Sequence, residues 1–297
     1  MRGNISYQVH EVFKSIIRFG ESKHEAKEIA REAGARTWHE LGKNLDIYSY
    51  SSADSYRDVA KEAFSYIKQN FGVKDITKIQ SEHIQSYLEH KIEENIKYSS
   101  FSKYAAALEK LEVALSKYTG KEYNFDLTEV RELAQQILQK TEQHRAYENP
   151  QKIVNAIENN VYKTIAQAQL ESGARVSELN HLKLSQFKEQ TIQVQGKGGK
   201  IRYLELSEKT YSDLKAIVLS SENQKLTFNT NSYRNELKAA CKATNQEYQG
   251  THGLRWSYAQ SKFNELQQQG KTYEQALSIV SQLLGHNRSD ITEHYLR

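Results

Sequence analysis

The 297-residue sequence predicts a mainly α-helical chain of α+β type, divided into two domains, with one small antiparallel β-sheet in the second. Three observations lead there. Apolar residues recur at three- and four-residue spacing along most of the chain, as in helices that bury one face. Strict alternation replaces that period in one place only, 191–206. Proline occurs once, at Pro150, inside a polar stretch that divides the chain.

Helices are predicted first at 5–19 and 22–33, the second opened by Ser22 as N-cap with Glu25 three residues later in a capping-box arrangement. From Ser52 a stripe of Tyr56, Val59, Ala63, Phe64 and Ile67 runs to a stop at Gly72. Ile84, Tyr87, Leu88 and Ile92 mark the next helix, and Tyr104, Leu108, Leu111 and Leu115 another, from near Ser100 to Gly120. These stripes read as core packing, so the first domain is expected to be all helical. Between Lys140 and Gln151 the apolar period is lost, which places the boundary near residue 145. The expected domains are therefore 1–145, with extra helices in 1–45, and 146–297. Past the boundary a helical pattern over 151–171 stops at Gly173 and restarts at Ser177. The segments 191–195 and 201–206 alternate on either side of GKGGK and read as a β-hairpin. Helices resume at 207–219, 231–244, 252–267, 272–283 and 288–296. There is no internal repeat of fixed period and no low-complexity tract.

Composition narrows the function classes. A formal net charge of +4 is mildly basic, so nucleic acid is a permitted partner only if the positive charge is gathered on one face. Cys241 is the only cysteine, which excludes an intramolecular disulfide and a cysteine-built zinc site and fits a reducing cytoplasm. The first twenty residues do not have the layout of a signal peptide, and no run of about 18 apolar residues occurs. The expectation is a cytoplasmic protein with no membrane partner.

Several residues carry possible chemistry. Arg175, in ESGARVSELNHL, follows a glycine turn and precedes Ser177, which can cap the next helix; the arginine would then meet an anion at a helix N-terminus, or else pair with Glu178 on the surface. In GKGGK, Lys197 and Lys200 project from a glycine-rich turn able to enter a groove, although lysines in such turns are ordinarily just solvated. His252 and Arg255 stand i, i+3 on one helical face behind Thr251 as N-cap, and could hold two oxygens of one phosphate. Gly285 closes an apolar helix and leaves His286 beyond its end, and Tyr295 follows on a last helix. A phosphoryl group in transit needs its charge neutralised, its nucleophile in line and its leaving oxygen protonated. Two arginines, two histidines, a lysine and a tyrosine can do this with no metal and no cofactor.

Taken in order, GARVSEL at 173–179, Lys197 in GKG, HGLR at 252–255, LGH at 284–286 and Tyr295 nine residues beyond that histidine resemble the tyrosine recombinase family of phage integrases and chromosome-dimer resolvases. The catalytic resemblance covers about 150–297. The helical stripes of 52–118 resemble the family's core-binding, SAM-like domain in pattern only, and 1–45 is not explained by it. The resemblance implies an N-terminal helical DNA-binding domain followed by a mostly helical catalytic domain. It implies that Tyr295 attacks the scissile phosphate and forms a 3′-phosphotyrosyl link, releasing a 5′-hydroxyl. Arg175 and Arg255 would clamp the non-bridging oxygens, Lys197 would protonate the leaving oxygen, His252 would assist proton transfer at Tyr295, and His286 would hydrogen-bond the phosphate. Glu178 would orient its neighbours, and Lys200 and Arg202 would contact DNA. The implied partner is double-stranded DNA with an inverted-repeat site, bound by a dimer and brought into a tetramer in synapsis, for integration, excision or resolution. Two alternatives remain open at this point: a type IB topoisomerase-like enzyme, and a non-cutting DNA-binding protein of the same fold. Many members continue past the tyrosine into a helix that docks on a neighbour, whereas Leu296 and Arg297 alone follow it here.

Overall fold

The computed structural model describes all residues except 141–143, 197–200, 287 and 297, and the side chains of 38 and 39. It divides into two compact units, 1–142 and 143–297.

The first unit is all helical among its described residues: α1 (Ile5–Lys14), α2 (Lys23–Glu32), α3 (Trp38–Asn44), α4 (Tyr50–Phe71), α5 (Ser81–Glu93), α6 (Tyr98–Thr119) and α7 (Thr128–Ile137). Its core joins Val9, Val12 and Phe13 of α1 to Phe64 and Ile67 of α4 and to Leu108 and Leu111 of α6. The N-terminal helix is therefore built into the central bundle. Helices α4 and α6 end on Gly72 and Gly120, both left-handed, the conformation in which a terminal glycine satisfies the last carbonyls. Helix α1 stops five residues earlier than its apolar pattern suggests, because Ile17 leaves the helix to pair with Ile47 in a parallel bridge. Between those two residues α2 and α3 close a small cluster of Ala30, Ala35, Leu41 and Leu45. The capping box that opens α3, Thr37 with Glu40, is reciprocal, whereas at Ser22 the bond described is the single one from the Glu25 N–H to the serine hydroxyl.

The second unit contains α8 (Pro150–Asn155), α9 (Asn160–Ser172), α10 (Val176–Leu179), β1 (Thr191–Gln195), β2 (Ile201–Glu205), α11 (Glu208–Ser220), α12 (Thr230–Ala243), α13 (Thr251–Gln268), α14 (Tyr273–Leu284) and α15 (Ser289–Glu293). Pro150 is the first residue of α8, where the missing N–H costs nothing. The polar stretch before it is also partly docked. Tyr147 is buried, its N–H donating to Ser257 Oγ at 2.9 Å and its hydroxyl to the Gly250 carbonyl at 2.9 Å. Gly253 makes room for it, since a Cβ there would lie 2.5 Å from Tyr147 Cε2.

Strands β1 and β2 pair antiparallel, with Ile192 opposite Leu204 and Val194 opposite Arg202. Those four side chains face inward while Ile201 and Tyr203 face out. Helix α13 lies between two apolar clusters, sending Leu254 into the one that holds Ile165, Leu179 and Leu204, and Trp256 and Ala259 into the one that holds Val280 and Leu284. A helix covered on both sides can carry a polar side chain only if that side chain finds partners. No helix of the described residues is long and apolar enough to cross a membrane.

Candidate active site

Two helix ends frame the site. Helix α9 terminates at Gly173, with φ +62°, and an added Cβ there would meet Tyr258 Cδ1 at 2.5 Å and Leu284 Cδ2 at 2.8 Å. Helix α14 terminates at Gly285, also left-handed. The carbonyls at both C-termini point at arginines. Arg255 is 0% exposed; its Nη1 donates to the Gly173 carbonyl, and its Nη2 donates to the Leu284 carbonyl at 2.7 Å and contacts His286 Nε2 at 3.1 Å. The negative ends of two helices thus stand in for the water that the guanidinium has lost. Burial, reinforced by Arg175, lowers its pKa to about 10, which still leaves it charged at neutral pH.

Arg175 sits where α9 turns into α10. It is the N-cap of α10, and the expected cap Ser177 lies inside the helix. Glu178 holds it from both sides, accepting its backbone N–H at 2.7 Å and its Nη1 at 3.0 Å. With a side chain 24% exposed, Arg175 keeps part of its guanidinium open. Burial alone would raise the pKa of Glu178, but Arg202 and then Arg175 hold the carboxyl below the ordinary range.

Arg202 requires a correction. It was expected to contact DNA, yet it is only 7% exposed and its Nη2 pairs with Glu178 Oε2 at 2.6 Å. Its Nη1 donates to the Leu283 carbonyl at 2.5 Å, and its Nη2 reaches the Gly173 carbonyl at 3.4 Å. Gly285 leaves it space, an added Cβ there lying 3.1 Å from Arg202 Cδ. Its guanidinium ties β2 to Glu178 and to the end of α14. The signal was present in the sequence: on a strand, Arg202 shares a face with Leu204 and alternates with Ile201 and Tyr203. Lys197 and Lys200, the expected general acid and its DNA-contacting neighbour, lie outside the described residues.

His252 is one turn ahead of Arg255 on α13, whose N-cap is Gly250, with φ +74°, and not Thr251. Its Nε2 lies 3.2 Å from the Tyr295 hydroxyl. Burial is the main reason its pKa is pushed down to about 4, with Arg255 and Arg175 adding to it. His286 is pushed down to about 3, again by burial first and then by Arg255, Arg175 and Arg202. Both rings are neutral at neutral pH. A neutral His252 with Nε2 toward the tyrosine can accept the phenolic proton.

Tyr295 is 8% exposed and lies over the guanidinium, its ring centroid 5.8 Å from Arg255 Cζ. Trp256 packs on it with centroids 4.9 Å apart and an interplanar angle of 31°, while Gln260 Nε2 donates to its carbonyl at 3.1 Å. The structure therefore brings Arg175, Glu178, His252, Arg255, His286 and Tyr295 together from α10, α13 and the segments after α14 and α15. Sequence reasoning did not find Trp256, the Gly173 carbonyl or Thr292. Trp256 follows Arg255 directly, but nothing in the sequence places an indole against a residue 39 positions away.

The profile of the phage integrase family matches residues 136–297, more than half of the chain. The chain belongs to the phage integrase family, the tyrosine recombinases. Solved structures share this integrase fold. The XerH site-specific recombinase bound to palindromic difH substrate, in a post-cleavage complex, superposes with a TM-score of 0.67 at 17% identity, covering 99% of this chain and 93% of that one. The Tn1549 transposon integrase in complex with transposon right end DNA gives 0.59 at 13% identity, covering 97% and 94%. A lambda integrase dimer bound to a COC′ core site gives 0.57 at 15% identity, covering 92% and 93%. Identities this low establish shared architecture and no more. Comparison with curated proteins finds no significant match.

Proposed function

We propose that this integrase-family protein is a site-specific DNA recombinase in which Tyr295 is the nucleophile. The phenolic oxygen attacks the scissile phosphorus, the bond from phosphorus to the 5′-oxygen breaks, and the chain is left joined to DNA through a 3′-phosphotyrosyl ester. The phenolic proton passes to His252 Nε2. A proton must reach the leaving 5′-oxygen, and Lys197 is assigned to deliver it. Arg175 and Arg255 neutralise the charge of the pentavalent phosphorus, and His286, expected to hydrogen-bond the phosphate, instead accepts from Arg255 Nη2 at Nε2 and holds that guanidinium in place. The ester conserves the energy of the broken bond, so a 5′-hydroxyl from a second strand can reverse the step on a new partner.

The observation that carries this reading is the Tyr295 hydroxyl 3.2 Å from His252 Nε2, with its ring over Arg255, all within one chain. The first unit is assigned to DNA binding and the second to catalysis, on duplex DNA carrying inverted repeats, with a dimer on each site and a tetramer in synapsis. Support for the assembly comes from a lambda integrase tetramer solved on a Holliday junction, and for the partner from the DNA in the XerH complex. The protein is assigned to the cytoplasm, a reading supported by a DNA substrate and by the single, buried, unpaired Cys241.

Arg175→Ala tests the reading. Loss of a charge that acts mainly on the transition state lowers cleavage by about a hundredfold or more, while DNA affinity falls much less. Equal losses in binding and cleavage would make Arg175 a ground-state DNA contact.

A further inference from the structure

Thr292 is polar and 0% exposed, three residues before Tyr295 on the short α15. Its carbonyl accepts the Tyr295 N–H at 2.8 Å, and its Oγ1 lies 2.8 Å from His286 Nδ1. The other ring nitrogen of His286 faces Arg255 Nη2 at 3.1 Å. A guanidinium has only protons to offer, so His286 Nε2 accepts. A neutral ring that accepts at Nε2 carries its proton on Nδ1, and that proton points at the Thr292 hydroxyl. The ring closes a circuit: Arg255 to His286, His286 to Thr292, Thr292 through one backbone bond to Tyr295, and Tyr295 back over the Arg255 guanidinium.

We infer that Thr292 is a positioning residue for strand cleavage: its hydroxyl holds His286 as the Nδ1–H tautomer and thereby couples the seat of Tyr295 to the orientation of Arg255. This rests on the assignment of Tyr295, Arg255 and His286 to the cleavage site. A threonine suits the position because its hydroxyl can accept from the imidazole while its methyl group packs in a buried environment. Without the hydroxyl, the Nδ1–H of a buried ring loses its contact with Thr292 Oγ1, and the tautomer with the proton on Nε2 would set that proton against the Arg255 N–H. Either outcome turns His286 and moves Arg255 away from the phosphate.

The test uses the full-length chain and two substitutions, Thr292→Val, which keeps the shape and removes the hydroxyl, and Thr292→Ser, which keeps the hydroxyl. Formation of the covalent adduct on a nicked suicide substrate is expected to slow about tenfold in Thr292→Val, the effect of one buried hydrogen bond, and to recover most of that loss in Thr292→Ser. In parallel, ¹⁵N-histidine NMR, with the His286 signal assigned by His286→Gln, reports the tautomer without any cleavage. The wild type and Thr292→Ser are expected to show a pyrrole-like Nδ1 and a pyridine-like Nε2 for His286, and Thr292→Val to lose that pattern. A wild-type pattern in Thr292→Val, unimpaired cleavage by that variant, or equal loss in both variants would overturn the inference. Should Thr292→Val not fold, the decision rests on the wild-type tautomer and on Thr292→Ser. If wild type itself forms no adduct, the cleavage assignment fails, and the NMR pattern still reports on Thr292.

Discussion

Arg202→Met separates a buried structural arginine from a DNA contact. The substitution keeps the aliphatic stem and removes the guanidinium, leaving Glu178 buried with Arg175 as its remaining ionic partner and the Leu283 carbonyl without its 2.5 Å donor. Breaking a buried ion pair from one side costs about 3–5 kcal/mol, because the remaining charge stays desolvated. In a domain of roughly 150 residues this corresponds to a melting temperature lowered by roughly 6–20 °C. The assay is urea unfolding of the full chain, with DNA affinity measured across a salt series. Stability is expected to fall by that amount, with the salt dependence of DNA binding unchanged. In Arg202→Met/Glu178→Gln, removal of the opposing charge is expected to restore at least about 1 kcal/mol. If stability were unchanged and the slope of log affinity against log salt fell by about 0.9, Arg202 would be a phosphate contact and its burial here would be misassigned.

Other consequences follow from the same geometry. Gly173→Ala forces a side chain into a left-handed position already filled by Tyr258 and Leu284, and is expected to cost about 2–5 kcal/mol by denaturant unfolding; a loss under about 1 kcal/mol would mean that the turn relaxes freely. The two depressed histidines make stability pH-dependent. Between the ordinary value of 6.5 and folded values of about 4 for His252 and about 3 for His286, the unfolded chain binds more protons, so stability is complete above pH 6.5 and declines as pH falls toward 3. The slope is at most about 1.4 kcal/mol per pH unit for each ring, and His252→Gln should flatten it in unfolding measured from pH 7 to pH 4. Lys197→Ala is expected to cleave ordinary DNA slowly and to recover on DNA with sulfur at the bridging 5′ position, since a thiolate leaves unprotonated, whereas Lys200→Ala gains nothing from sulfur. Rescue of Lys200→Ala in place of Lys197→Ala would exchange the two roles.

Much of this architecture is legible in the sequence, because the features that specify it are local. Alternation at 191–195 and 201–205 marks the hairpin, and Gly72, Gly120 and Gly173 mark helix ends by the one conformation they adopt easily. Helices α3 and α7 are absent from the expected elements: α3 is short with few apolar residues, although the Thr37 and Glu40 capping box announces it, whereas α7 does carry a helical stripe, Val130, Leu133, Ala134 and Ile137. The motif residues could be identified one by one, but their mutual geometry is long-range. That Gly173 and Leu284 offer carbonyls to Arg255, and that Trp256 backs Tyr295, depends on how α9, α13 and α14 pack. Burial of Arg202 was readable from strand alternation, but its charge suggested solvent and DNA; Glu178, 24 residues away, is what makes burial tolerable.

The central claim is that Tyr295 becomes covalently joined to DNA. Incubation of the full chain with a nicked suicide substrate containing its recombination site, followed by protease digestion and mass spectrometry, locates the attached nucleotide. The expected result is a nucleotide on the peptide containing Tyr295, linked through its 3′-phosphate, and no adduct in Tyr295→Phe although that variant still binds the DNA. An adduct that persists in Tyr295→Phe and maps to Tyr258 or another side chain would contradict the account.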